Sequence, residues 1–185
     1  MSLGKQIFIL FCAVVAFVGC SREEAVPEGQ VSPAYLRGKA LGSKGKFVEA
    51  KQVADSLRSS DTPLADAWAD AAMATICCYS DEEDSCVIYS QRARSMFSKL
   101  GSEYRGIVSE LELFEAFCRI SFSPDTALSL LEDCAKTFEA DGDVPYLVMS
   151  NLYQSEIYKN KGDYLFSSGK FGKAKISYDT SLKEA

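Results

Sequence analysis

Six residues near one end of this 185-residue chain recur near the other at identical offsets. Gly38, Leu41, Gly45, Lys46, Phe47 and Ala50 are matched by Gly162, Leu165, Gly169, Lys170, Phe171 and Ala174. Glycine both ends helices and lets two backbones approach, so each set describes two helices joined by a tight turn. Such a unit cannot bury its apolar face alone, and its repetition confines the chain to helical hairpins stacked on one another.

A second series of residues agrees. Ala50, Ala54 and Leu57 stand at i, i+4 and i+7, as do Ala93, Phe97 and Leu100, then Ala127, Leu131 and Cys134, then Ala174, Tyr178 and Ser181. Each set places a small residue and then a larger one on the same helix face, and the leading alanines are 43, 34 and 47 residues apart. No stretch alternates with period two, so strands are not expected. Asp61-Thr62-Pro63 and Ser123-Pro124-Asp125 each put a capping side chain before a proline suited to a first helical turn. Asp141-Gly142-Asp143-Val144-Pro145 stops one helix and starts the next. The pattern predicts an all-α chain with helices near 34–44, 46–59, 64–79, 84–100, 102–121, 124–139, 145–167 and 170–183, which is four pairs.

The two outer motifs resemble the tetratricopeptide repeat, a helix-turn-helix unit of about 34 residues. The resemblance implies a helical-hairpin repeat solenoid over about residues 31 to 185, with first helices lining a concave face that grips peptides or extended segments. The middle two units carry Tyr89-Ser90 and Ser123-Pro124 in place of the Gly-Lys-Phe turn, so a generic helical bundle is the alternative for the centre. Carried over position by position, the groove-facing residues are Tyr35 and Lys39, then Glu112, Ala116 and Arg119, then Lys159, Asp163 and Phe166. Lys39, Arg119 and Lys159 would offer charge-assisted bonds to a partner carboxylate, with Tyr35 and Phe166 supplying apolar area.

The start of the chain carries an address. Lys5, the apolar run Ile7 to Val18 and then Val18-Gly19-Cys20-Ser21 resemble a bacterial lipoprotein signal. The run is too short to cross a hydrocarbon core that needs roughly 20 residues. The resemblance implies cleavage after Gly19, a covalent lipid on Cys20 and a membrane anchor of two or three acyl chains. Residues 1–19 are then the signal peptide, 20–33 a polar tether reaching up to roughly 40 Å, and 34–185 the helical domain. The expected location is the periplasmic side of a cell membrane, inner or outer.

Composition narrows the function. The formal charge is −6, and −7 once Lys5 leaves with the signal, which argues against nucleic acid and against an anionic lipid surface as electrostatic partner. The chain has no histidine, so Ser-His-Asp and Cys-His catalysis are excluded, and no paired motif announces other chemistry; an enzyme is not expected. No cofactor and no metal are expected: Asp81-Glu82-Glu83-Asp84 lacks the ligand spacing of a calcium loop and reads as acidic residues at a helix start. Of five cysteines beyond Cys20, Cys77 or Cys78 could bond Cys86 across a short turn, while Cys118 and Cys134 read as buried apolar residues. Tyr146, Tyr153, Tyr158, Tyr164 and Tyr178 either line a pocket or pack between helices. The last helix has no capping helix after it, which allows self-association there. The expected function is a protein-binding adaptor or assembly factor of the envelope. The alternative is an accessory lipoprotein that holds a small apolar ligand for a tripartite ATP-independent periplasmic transporter.

Overall fold

The computed structural model describes residues 31–59 and 62–184. Among them are eight α-helices and no strand: α1 (Pro33–Ser43), α2 (Phe47–Arg58), α3 (Pro63–Tyr79), α4 (Glu83–Leu100), α5 (Arg105–Arg119), α6 (Pro124–Asp141), α7 (Val144–Ser167) and α8 (Phe171–Glu184). The helices begin and end within three residues of the expected boundaries, because local chemistry sets them. Ser32, Thr62 and Asp143 cap α1, α3 and α7 by accepting from the amides of Tyr35, Ala65 and Tyr146, and a proline follows in each first turn. Ser123 does not cap α6 in this way; its hydroxyl turns to Thr126 at 2.8 Å. Helix 102–121 is also modified at its start. Gly101, at φ 154°, breaks the chain after α4, and a 3-10 turn over Ser102–Tyr104 precedes α5.

The described residues form two compact units, the first ending at Phe114 and the second beginning at Glu115. The boundary falls inside α5. Helices that pack mostly on their sequence neighbours divide readily into such units.

In the first unit α1 packs on α2 and α3, α2 on α3, and α3 on α4. α3 is buried on almost every side, and a helix of that kind must be central. Its alanines 67, 69, 71, 72 and 74 are fully buried, and Trp68 is 5 % exposed. Trp68 organises an aromatic cluster with Tyr35, Phe97 and Tyr104 at ring separations of 5.3, 4.7 and 6.3 Å. The 3-10 turn is what carries Tyr104 to it.

In the second unit α6 packs on α7 and α7 on α8. α6 buries Ala127, Leu131, Cys134 and Phe138, one stripe at helical spacing, and Phe138 stacks on Tyr146 at 5.2 Å. Tyr153 is buried against Phe117, whereas Tyr164 is exposed, so these tyrosines do not gather around one space.

The repeated motif has repeated geometry. Gly45 and Gly169 both adopt φ 72°, a conformation that favours glycine. The amides of Lys46 and Lys170 reach back to the carbonyls of Leu41 and Leu165 at 3.0 and 2.9 Å, closing the same turn twice. The leading alanines of the four stripes, Ala50, Ala93, Ala127 and Ala174, are at most 1 % exposed.

The two helix-approach glycines differ in one respect. A Cβ on Gly162 would fall 2.6 Å from the Tyr178 ring, whereas one on Gly38 would meet nothing closer than 3.7 Å. Gly162→Ala should therefore cost about 1–2 kcal/mol through overpacking, despite alanine's better helix propensity. Gly38→Ala should be neutral or stabilising by up to about 1 kcal/mol. Urea midpoints of the two variants test the difference.

Candidate functional site

Within the first unit, α5 brings two carboxylates to the helices before it. Tyr35 and Lys39 lie one turn apart on α1, and both donate to Glu110 Oε1, the tyrosine hydroxyl at 2.9 Å. The same hydroxyl lies 3.4 Å from Thr75 Oγ1. Glu112 accepts from Arg94 of α4 at 2.7 Å. The expected partner carboxylate of Lys39 is thus supplied from 71 residues along the same chain. Tyr35, 1 % exposed beside Trp68, belongs to the core and offers no contact surface. Both findings correct the groove assignment. Spacing places a residue on a helix face but does not say whether another helix already covers that face.

The second unit repeats the correction at Arg119, whose guanidinium binds Glu115 one turn before it at 2.8 Å. Ala116 is fully buried. Lys159 and Asp163 are exposed and pair along α7 at 3.2 Å, and Asp163 also accepts from Tyr178 at 2.7 Å. These bonds, the one from Tyr178 first, lower the Asp163 carboxyl below its ordinary value. Phe166, more than half exposed, meets Phe171 edge-on at 5.2 Å. Lys159, Asp163 and Phe166 are therefore the expected contact residues that solvent reaches.

Cys20 lies outside the described residues. Cys77, Cys78, Cys86, Cys118 and Cys134 are all buried thiols, so the cross-turn disulfide is not formed in this structure. Cys77 Sγ points to Glu82 Oε2 at 3.8 Å, and Cys86 Sγ lies 3.8 Å from the Phe114 carbonyl. The Cys78 and Cys86 sulfurs lie within 4.8 Å of one another.

The acidic run before α4 has a structural use. Glu82 accepts from Lys51 at 3.0 Å and from Ser80 at 2.9 Å, and these bonds, the lysine's first, hold its carboxyl below the ordinary 4.5. A depressed carboxylate stabilises the fold fully above the unfolded value and loses that contribution as pH falls through the folded one. The pair is about two-fifths exposed, so the effect is small. Glu82→Gln should make the acid loss of stability below pH 4.5 shallower, as read by urea midpoints from about pH 3 to about pH 7.

One cluster was missed. Asp70, 1 % exposed on α3, receives Arg58 of α2 on Oδ1 at 2.8 Å and faces Arg92 of α4 across 3.1 Å from Oδ2. Both guanidiniums lie over the Tyr89 ring, at 5.8 and 5.7 Å from its centre. The carboxylate raises the Arg58 pKa, chiefly by its hydrogen bond. An aspartate amid the alanines of Ala67-Trp68-Ala69-Asp70-Ala71-Ala72 was the available signal. A buried acid on a largely apolar helix needs a cation from elsewhere.

Two of the hollows on the described surface are open and shallow. Ile88, Gln91, Arg92, Ser95 and Met96 line one along α4, and residues of α6 and α7 including Glu132, Lys136, Glu139 and Gln154 line the other. Both are open and edged with polar side chains. Among the described residues no helix is long and apolar enough to cross a membrane. No family model, curated protein or solved structure matches the chain.

Proposed function

We propose that this chain is a non-enzymatic envelope protein, tethered by lipid at Cys20, whose tetratricopeptide-like helical hairpins bind another protein as an adaptor or assembly factor. The observation that carries the reading is the twice-built hairpin. Turns at Gly45 and Gly169, 124 residues apart in sequence, share a left-handed glycine, the same back-bonded lysine amide and a buried alanine four residues after that lysine. Repetition of a packing unit is what builds extended binding surfaces in helical-repeat proteins. The absence of histidine favours surface recognition over acid–base or nucleophilic chemistry at neutral pH.

Two measurements test it together. Metabolic palmitate labelling is expected in the wild type and lost in Cys20→Ser. A photo-crosslinking residue at exposed Lys159 or Phe166 is expected to trap one protein in stoichiometric yield from the native envelope, and the same probe at buried Tyr35 to trap none. No adduct at the exposed positions, together with a lipid copurifying in stoichiometric amount, would move the assignment to the ligand-carrying accessory role.

A further inference from the structure

Cys78 stands in the last turn of α3 and Cys86 at the start of α4, both within the first unit, with their sulfurs within 4.8 Å of one another. The turn between them is held by its own backbone. The amides of Ser80 and Glu82 return to the carbonyls of Ile76 and Cys77, both at 2.9 Å, and the amide of Cys86 bonds the Glu82 carbonyl at 2.9 Å. Asp81 passes through φ 62°, a left-handed conformation that a residue with a Cβ adopts at a cost. Two thiols are thus kept in register across a turn that gains from being fastened.

Their surroundings favour a neutral link. Cys78 and Cys86 are 3 % and 0 % exposed. Cys86 Sγ lies 3.9 Å from the Ser90 hydroxyl and 3.8 Å from the Phe114 carbonyl, contacts that supply no positive charge. A thiolate is costly in such a place, which opposes a metal ion held by the two sulfurs, whereas a disulfide removes both S–H groups and adds no charge. Cys77 stands differently. Its Sγ points to Glu82 Oε2 at 3.8 Å, and that carboxylate disfavours the thiolate that exchange requires.

We propose that Cys78 and Cys86 are an oxidation site, joined as a disulfide when the chain folds in the presence of a disulfide oxidant such as glutathione disulfide. While the hairpin is open, one cysteine thiolate attacks an oxidant sulfur and expels the other half as a thiol. The second cysteine thiolate then attacks the mixed disulfide and expels the remaining half. The two cysteines give up two protons and two electrons, and the oxidant's S–S bond takes them to become two thiols. Closure of α4 on α3 encloses the new bond. It closes a loop of nine residues, from Cys78 to Cys86, at the helix central to the first unit, and so restricts the unfolded chain and favours the fold.

The chain from residue 21, refolded from urea with glutathione disulfide or with a thiol reductant, tests this in the unaltered sequence. It holds five cysteines, so alkylation in urea is expected to add three groups to the oxidised chain and five to the reduced one. An acid-specific protease cutting within Asp81-Glu82-Glu83-Asp84 should leave the peptides of Cys78 and Cys86 joined until reductant is added. Cys77→Ala should keep that joined pair, and Cys78→Ala should lose it. The folding equilibrium constant of the oxidised chain should exceed that of the reduced chain roughly 50- to 100-fold, and Cys78→Ala with Cys86→Ala should abolish the difference. None of these readouts depends on where the chain resides, so they stand apart from the envelope assignment. No joined peptides, peptides still joined in Cys78→Ala, a bond between other cysteines, or equal stability of the oxidised and reduced chains would each overturn the proposal.

Discussion

Trp68→Ala is expected to remove about 3–5 kcal/mol from the stability of the first unit. The indole is 5 % exposed and touches three other rings, Tyr35, Phe97 and Tyr104, contributed by α1, α4 and the 3-10 turn. Its loss combines the transfer energy of a large side chain with a void walled by rings fixed to separate elements. Along α3 its closest neighbours Ala65, Ala67, Ala69, Ala71 and Ala72 are too short to fill much of it. Trp68→Phe should cost less than half as much. Trp68 is the sole tryptophan, so helical circular dichroism during urea unfolding is the appropriate probe. A shift of the midpoint at unchanged slope would mark a pure stability effect. A loss below about 1 kcal/mol would mean that the cluster is not packed as described.

Removing both arginines from Asp70 should cost a similar amount for a different reason. Arg58→Met with Arg92→Met leaves a carboxylate that is 1 % exposed without a cation, and an uncompensated buried charge costs about 3–5 kcal/mol. Adding Asp70→Leu removes the charge and fills its space with an apolar side chain, so the triple variant should recover at least half of the loss. Asp70→Ala alone should cost less, about 2–3 kcal/mol, because both guanidiniums are partly exposed and can be hydrated. The decisive quantity is the sign of the Asp70→Leu effect in the background lacking the arginines. Further destabilisation there would show that the carboxylate has another partner.

Several elements were legible before any fold was known. Prolines 33, 63, 124 and 145 and glycines 45, 142 and 169 mark helix ends, since restrictions on φ act within one or two residues. Ala50, Ala93, Ala127 and Ala174 were legible as contact points because only a small side chain suits a close helix crossing. The groove residues were less so. Lys39 and Arg119 found acids within the chain, and Tyr35 found Trp68, through contacts whose sequence separations vary from 4 to 71 residues. Periodicity identifies a face but not its occupant.

What the amino-acid order determined by itself was therefore what short range governs: eight helices, the caps at Thr62 and Asp143, and a hairpin turn written twice. Tertiary structure decided which charges are paired, that Asp70 is held between α2 and α4, that Cys78 lies close to Cys86, and that Phe171, Ile176 and Leu182 of α8 are exposed. Those outcomes depend on which helix faces meet, and that choice is made by the summed burial of many side chains far apart in sequence, each worth little alone.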